Sequence, residues 1–511
     1  MLTLAELLAG VDGVELELRG DGRVPIARLS ADSRDVRPGD FFVALPGTRT
    51  DGGRFVDEAC RGGAVAVAAV AATNVPAGIP LVVVAEPARF LARAAACFHG
   101  DPGSALTMVG VTGTNGKTTV TYLLEAIWRA AGARPGVMGT INYRFGDVAE
   151  AAPLTTPPAG EIFARLAAMR AGGATHVAME VSSHALVQDR TFGMPWDAAI
   201  FTNLGRDHMD FHRDRDEYLR AKARLFTALD ASPKPRKVAV LNAADASVAG
   251  LEPAIASPIV TFGTGGDVRA EDVRMTLDGI TATLVVGGAE VAIATPLVGS
   301  GHLENVLAAT AAAHALGTPL ATIAGALARF DGVPGRLEPV VAGQDFTVLV
   351  DYAHTPDALA GVLGSLRALV PERLICVFGC GGDRDRGKRP LMGAVVGRHA
   401  DVAVLTSDNP RTEDPLRILA DAAPGLERSG LPLLANLGGG RRGYLVQPDR
   451  AQAIASALTI ARAGDCVVIA GKGHEDYQIV GAEKRPFDDR AVARRVLAGR
   501  GTGARGARVR A

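Results

Sequence analysis

Short runs of apolar and β-branched residues recur along the chain, each followed by a longer stretch with apolar residues at helical spacing. That alternation predicts an α/β architecture with largely parallel sheets. Residues 1–104 hold short strands at Phe41–Leu45, Val65–Val70 and Leu81–Val84, and close on the turn-rich Phe98–Gly103. Residues 105–335 reopen with Thr107–Val111, a glycine-rich turn and a helix, and end in the breaker cluster Asp331–Gly335. Residues 336–498 alternate helical segments with strands at Phe346–Val350, Leu374–Phe378, Val402–Thr406 and Cys466–Ala470. Residues 499–511 are rich in Arg and Gly and lack an apolar period, which predicts a disordered, solvated tail rather than a nucleic-acid arm.

Polar, glycine-rich clusters directly follow the apolar strands. Gly113–Thr119, Glu180–His184 and Asn203–His212 do so in the middle zone. Asp351–Asp357, Gly379–Arg384, Ser407–Arg411 and Gly471–Glu475 do so in the last. Open parallel sheets bind ligands at the carboxyl ends of their strands. Two such edges facing each other would make one large cleft between domains.

Composition narrows the class. At 511 residues and 48% hydrophobic, the chain has room for about three domains with real cores. Lys and Arg (54) nearly cancel Asp and Glu (55), so no global field draws it to nucleic acid or an anionic membrane. No stretch approaches the roughly 18 apolar residues that span a bilayer. The N-terminus lacks a basic region and carries Glu6 in its short apolar run, unlike a secretory signal. Five cysteines without paired spacing argue against a disulfide framework and for a reducing compartment. A soluble cytoplasmic protein is expected.

The strongest chemical signal is Gly110–Thr119, reading GVTGTNGKTT. It follows a strand and opens a helix, as a phosphate-cradling P-loop does, with one residue more between Gly110 and Gly116 than the usual spacing. In its tight core, Gly113 to Thr119, the amides of Gly113, Thr114, Asn115 and Gly116 can turn toward phosphate oxygens. Lys117 adds a point charge and Thr118 a hydroxyl for Mg²⁺, with Thr119 completing the motif. No Asn-Lys-x-Asp motif occurs, against a GTPase. Glu180, at the end of an apolar strand, suits Mg²⁺ or a turn cap. His208 alone reads as a structural histidine; beside Asp207, Asp210 and His212 it points to metal or phosphate duty.

In this order, and over essentially the whole chain, these motifs resemble the Mur ligase family, the ATP-dependent amide-forming enzymes of bacterial cell-wall precursor synthesis. The resemblance is carried by Gly113–Thr119, Glu180–His184, Asn203–His212, Asn305, Gly335–Glu338, Asp351–Asp357 and Gly381–Arg384. Asp408-Asn409-Pro410-Arg411 resembles the amino-acid-selecting motif of members that add meso-diaminopimelate; lysine-adding relatives carry a different version. Leu154 stands where many relatives have Asn, and Gly301–Asn305 is an unusual version of its segment.

The resemblance implies three domains. Residues 1–104 would bind the UDP-linked substrate, 105–335 would form a central ATP-binding P-loop domain on a parallel sheet, and 336–498 a Rossmann-like amino-acid domain. The implied reaction joins meso-2,6-diaminopimelate to the D-glutamate of UDP-N-acetylmuramoyl-L-alanyl-D-glutamate through an acyl phosphate, with ATP and Mg²⁺. It would serve peptidoglycan synthesis, and so cell-wall biogenesis, cell shape and division. The partners are these small molecules, without nucleic acid or membrane insertion, and the protein is expected to be a monomer.

Residue by residue, the resemblance makes Lys117, Lys222 and His208 catalytic, with Lys222 carbamylated. Thr118, Glu180, His208 and the Lys222 carbamate would hold metal. Asn305, Arg336, Asp351 and His354 would contact ATP. Ser33, Thr48, Arg49 and Thr50 match uridine- and pyrophosphate-side segments; Thr155, Thr156, Ser182, Gln188 and Arg190 match the muramoyl-dipeptide side. For diaminopimelate the set is Arg384, Asp408, Asn409, Pro410, Arg411, Gly471 and Glu475. Its residue types fit a substrate with two ammonium and two carboxylate groups: planar arginine forks for carboxylates, acids for the distal ammonium. Three alternatives stay open. One is the lysine-adding homologue. Another is a folate- or cyanophycin-type ligase, which would not need Asp408–Arg411. The third is a P-loop regulatory protein that uses ATP as a conformational ligand.

Overall fold

The computed structural model of the chain describes residues 2–47, 51–437 and 440–507. Three main sheets carry it. The first has the spatial order Leu16–Arg19, Leu81–Val84, Ala66–Ala69, Asp40–Val43, Arg28–Ser30, and only its first pair is antiparallel. Phe41 packs on one face edge-to-face with Phe90 of helix Pro87–Phe98, at 5.8 Å. Its neighbour Phe42 joins Val56 and Ala59 of helix Val56–Arg61 on the other face. Side chains of successive strand residues point to opposite faces, so two consecutive phenylalanines need helices on both.

The central sheet has eleven strands and is mixed, where the sequence predicts largely parallel ones. Its parallel core runs Ile259–Phe262, Val238–Asn242, Ala198–Phe201, Thr107–Thr112, His176–Glu180, Pro135–Met138. Antiparallel hairpins extend both edges: Asn142–Phe145 with Val148–Ala151 on one side, and Val268–Thr276, Gly279–Val286 and Ala289–Thr295 on the other. Gly287 and Gly288, at φ 55° and 85°, form the two-residue link that a tight hairpin favours. Helices Lys117–Ala130 and Ser300–Ala315 cover one face through Val120, Leu124, Val306 and Ala309. Helices Ala159–Ala171 and Arg215–Asp230 cover the other, in a buried cluster shared with the first sheet.

The third sheet runs Glu338–Pro339, Thr347–Asp351, Cys466–Ala470, Leu374–Phe378, Val402–Leu405, Gly443–Val446, parallel except at its first pair. In the central sheet the chain leaves Thr107–Thr112 toward one edge and returns past it toward the other. In the third, Cys466–Ala470 inserts between Thr347–Asp351 and Leu374–Phe378. Such reversals open crevices beyond the strands' carboxyl ends. The last helix, Asp489–Ala507, runs past residue 499, where the sequence predicts a solvated tail. All five cysteines are free thiols, as their spacing predicts. Among the described residues no helix is long and apolar enough to cross a membrane.

That last helix is anchored by a buried ion pair. Arg450 Nε and Nη2 each donate to the Asp489 carboxylate at 2.7 Å, and both side chains are fully buried. Arg450 also donates to the carbonyls of Ala470 and Ser407, at two strand ends. Removing one partner strands a buried charge, so Asp489→Ala should cost about 3–5 kcal/mol in urea unfolding. A loss below about 1 kcal/mol would mean that the pair does not anchor the helix.

Candidate active site

Strand Thr107–Thr112 delivers the glycine-rich turn to the head of helix Lys117–Ala130. Gly113 (φ 140°) and Gly116 (φ 87°) take backbone angles that side chains disfavour. A β-carbon would meet Thr202 Oγ1 at 1.8 Å in the first case and Asn305 Oδ1 at 2.2 Å in the second. The neighbouring strand end splints the turn. Thr114 N donates to Asn203 O at 2.8 Å, Asn115 N to Asn203 Oδ1 at 3.0 Å, and Thr202 Oγ1 to Asn115 O at 2.6 Å.

Two lysines meet beneath it. Lys117 Nζ donates to Gly113 O at 3.0 Å and Thr114 O at 2.9 Å, while Lys222 Nζ donates to the same Gly113 O at 2.7 Å. Lys222 is 1% exposed and stands 4.3 Å over the Tyr218 ring. Burial, and then the Lys117 charge, push its ammonium well below the usual lysine range. Burial lowers Lys117 as well, against the pull of Glu180 and Asp207.

Glu180 is fully buried at the end of its strand. It accepts from Thr140 N at 2.8 Å and Thr140 Oγ1 at 2.9 Å, and makes no ion pair among the described residues. Thr155 bonds to Thr140 at 3.1 Å, and Thr156 donates to Glu180 O at 2.8 Å. Ser182 N donates to Thr156 Oγ1 at 3.0 Å, Arg190 Nη1 to Thr156 O at 2.5 Å, and Arg190 Nε to Gln188 at 3.0 Å. This expected group therefore forms one network. Ser33 lies apart in the first sheet's domain, donating to Glu58 at 2.9 Å, and Thr48, Arg49 and Thr50 lie outside the described residues.

Lys117, Thr118, Thr119, Glu180, Lys222 and Asn305 line a cavity of about 470 Å³, together with Arg336 and Asp351 from the third sheet's side. Arg336 Nη2 donates to Thr118 Oγ1 at 3.1 Å, its guanidinium 4.6 Å over the Tyr352 ring. Asp351 accepts from the amides of Leu337 (2.8 Å) and Ala353 (2.7 Å), so it also caps its own strand end. Burial raises its carboxyl against the pull of Arg336.

A second cavity of about 370 Å³ adjoins the first, lined by Arg384, Asp408, Asn409, Arg411, Gly471 and Glu475. Pro410 of the expected set is buried behind that lining. Asp207, His208, Tyr352, His354 and Thr355 border both cavities, so the two adjoin along one shared wall. His208 is left-handed at φ 57° and its amide donates to Asp207 Oδ1 at 2.8 Å. Burial drives its imidazole down to about 4 despite Asp207, leaving a neutral ring at pH 7. His212 does not line either cavity: it is buried with Nε2 2.8 Å from Ser183 Oγ.

Sequence reasoning missed several groups. Thr140, which orients Glu180, sits in a segment without a motif, and Tyr218, whose ring lies against Lys222, heads the segment matched for Lys222 without itself being singled out. Arg206, in a polar loop, and Lys388, the first residue of helix Lys388–His399, line the second cavity within charged stretches where one cation is hard to tell from another. Lys472 lies between two residues that were singled out, Gly471 and Glu475.

Among the described residues no group of three or more His, Cys, Asp or Glu could hold a metal. Mg²⁺ asks for less: one or two carboxylates, with phosphate and water oxygens completing its shell. Glu180, which makes no ion pair among the described residues, and the Thr118 hydroxyl border one cavity and fit that requirement.

Charged groups of both signs and two adjoining cavities at strand ends fit a class: α/β enzymes that bring several small substrates together. Three family models match in chain order: the Mur ligase family catalytic domain at residues 25–99, the Mur ligase middle domain at 111–313, and the Mur ligase glutamate ligase domain at 335–473. The chain belongs to the Mur ligase family, with its three-domain α/β architecture. It is 45% identical over 500 residues to the UDP-N-acetylmuramoyl-L-alanyl-D-glutamate–2,6-diaminopimelate ligase of Geobacter sulfurreducens, covering 96% of this chain and 98% of that one. The ligase of the same name from Gloeobacter violaceus is 46% identical, covering 98% and 99%. A solved structure carrying that name aligns at TM-score 0.69 and 34% identity, covering 98% of this chain and 99% of the other.

The lysine pair makes a testable demand. With its folded-state pKa depressed, Lys222 binds fewer protons folded than unfolded between that value and 10.5, so its contribution to stability improves as pH rises through the window. Lys222→Met removes the dependence. Wild-type stability minus variant stability in urea unfolding should climb as pH approaches 10.5 and then level; a flat difference contradicts the burial argument.

Proposed function

We propose that the chain is the ATP-dependent, ADP-forming ligase that joins meso-2,6-diaminopimelate to the D-glutamate of UDP-N-acetylmuramoyl-L-alanyl-D-glutamate in peptidoglycan precursor synthesis. One observation carries the reading: a cavity rich in phosphate-type donors adjoins a cavity holding both charge signs, with Asp207, His208, Tyr352, His354 and Thr355 bordering both. An acyl-phosphate route needs that pairing, because one carboxylate must meet a triphosphate first and an amine second.

In this reading residues 1–104 bind the UDP moiety, with Ser33, Thr48, Arg49 and Thr50. Residues 105–335 form the P-loop domain, 336–498 a Rossmann-like domain, and the chain works as a cytoplasmic monomer. The turn from Gly113 to Thr119 cradles the ATP phosphates, Lys117 leaving its two carbonyl partners for phosphate oxygens. Asn305, Arg336, Asp351 and His354 complete the nucleotide site. Thr155, Thr156, Ser182, Gln188 and Arg190 hold the muramoyl dipeptide.

The γ-phosphoryl group passes to the glutamyl carboxylate and ADP departs. Alignment and charge neutralisation supply the catalysis, since phosphoryl transfer needs little protein covalent chemistry. The diaminopimelate amine, having lost a proton, attacks the acyl carbon, and the tetrahedral adduct expels phosphate. Thr118, Glu180 and His208 would hold Mg²⁺, which neutralises charge on the transferring phosphoryl group. Lys222 is the residue for carbamylation: burial beside Lys117 favours the neutral amine that CO₂ requires. A carbamate there would turn repulsion from Lys117 into attraction and add an anionic ligand for the metal.

In the second cavity Arg384 and Arg411 grip carboxylates, Asp408 or Glu475 accepts from the distal ammonium, and Asn409 and Gly471 add neutral contacts while Pro410 shapes the loop. Lysine would leave Arg411 unpaired, which separates this reading from the lysine-adding alternative. A purely regulatory nucleotide binder has no use for such a pocket.

ADP and phosphate should form only when both the UDP-muramoyl dipeptide and diaminopimelate are present, and L-lysine should substitute poorly. Turnover without the diamino acid, or equal use of lysine, overturns the assignment. Arg411→Lys should lower kcat/KM for diaminopimelate about 10- to 100-fold with little change in KM for ATP, the worth of a lost charged hydrogen bond. Equal losses for both would refute its role. Lys222→Ala should lose most activity and regain part of it with added short carboxylates; full activity without them removes the carbamate.

A further inference from the structure

Directly behind the second cavity lies a lysine that does not border it. Lys472 is fully buried, one residue after Gly471, and its ammonium reaches three side chains of the neighbouring strand ends. It donates to Asn409 Oδ1 at 3.0 Å and to Glu475 Oε2 at 3.0 Å, and stands 3.8 Å from Asp408 Oδ1. Ile479 N also donates to Asn409 Oδ1, at 3.0 Å. With its carbonyl oxygen taken by two donors, the Asn409 amide has only one orientation, and its Nδ2 donates to Glu475 Oε2 at 2.9 Å. Glu475 Oε2 thus accepts twice, while Oε1 has no protein donor among the described residues and belongs to a side chain that lines the cavity.

We propose that Lys472 is a positioning residue for amine recognition: it locks Asn409 and Glu475 so that one Glu475 carboxylate oxygen is held for the distal ammonium of the amino-acid substrate. The assignment rests on the amino-acid reading of that cavity. Its charge logic is simple. Asp408 and Glu475 together with Lys472 leave one net negative charge, the complement of one ammonium, where the two acids alone would repel each other. Burial opposes charge on Asp408, yet Lys472 and Arg450 beside it hold its carboxyl below the ordinary value.

The test compares meso-diaminopimelate with 2-aminopimelate, which keeps both carboxylates and lacks one amino group. In the wild type, kcat/KM should favour diaminopimelate strongly. In Lys472→Met that preference should shrink about 10- to 100-fold, chiefly through KM for diaminopimelate, while KM for ATP stays within about twofold. Lys472→Gln keeps a neutral donor of similar reach and should shrink the preference in the same direction, so it carries the test if the methionine variant does not fold. Variants that lose rate on both amines equally, preference intact, overturn the positioning role and leave the ligase reading standing. A wild type that uses neither amine overturns the ligase reading itself, and the inference with it.

Discussion

One backbone oxygen, that of Gly113, accepts from two lysine Nζ atoms, Lys117 at 3.0 Å and Lys222 at 2.7 Å. Charging both this close inside a protein is opposed by their repulsion and by lost water, so the arrangement favours a neutral Lys222 and any anion that can enter or form. A phosphate on the turn satisfies Lys117; a carboxylate built on Lys222 would satisfy both. The glycines, the Thr202–Asn203 splint and the Tyr218 ring keep that oxygen and its two donors in place.

The scaffold brings the amine to this anion trap. Both parallel sheet cores aim their strand carboxyl ends at one cleft, and the bonds across it are mostly polar. Arg336 donates to Thr118, and Arg206 N donates to Asp357 Oδ2 at 2.6 Å. The buried clusters of the third sheet take only Val298, with partly buried Leu277, from the central sheet's segment. Domains joined by a few hydrogen bonds rather than a shared core can open and close around substrates. The first and central sheets, by contrast, share one buried cluster.

Much of this was legible before the structure. Strands Leu374–Phe378 and Cys466–Ala470 lie at the residues that their apolar runs mark, because a strand buried on both faces has an unbroken hydrophobic run. The antiparallel edges escaped notice since Val268–Thr276 is rich in charge and Val148–Ala151 is short and fully exposed, so neither has the buried apolar run that marks the core strands. In the site, charged residues at strand ends pointed to the cleft, but burial is not written in residue type. Nothing in the sequence distinguishes buried, multiply bonded Lys472 or Arg450 from a solvated cation. His212, a motif neighbour of His208, is buried with Nε2 2.8 Å from Ser183 Oγ and lines neither cavity.

The central claim is that one carboxylate is activated in the first cavity and attacked from the second. Its most direct test uses UDP-muramoyl dipeptide with ¹⁸O in the reacting glutamyl carboxylate, with ATP and diaminopimelate. Transfer through an acyl phosphate carries one labelled oxygen into the inorganic phosphate released, read by mass spectrometry. Unlabelled phosphate accompanying amide formation would contradict the account.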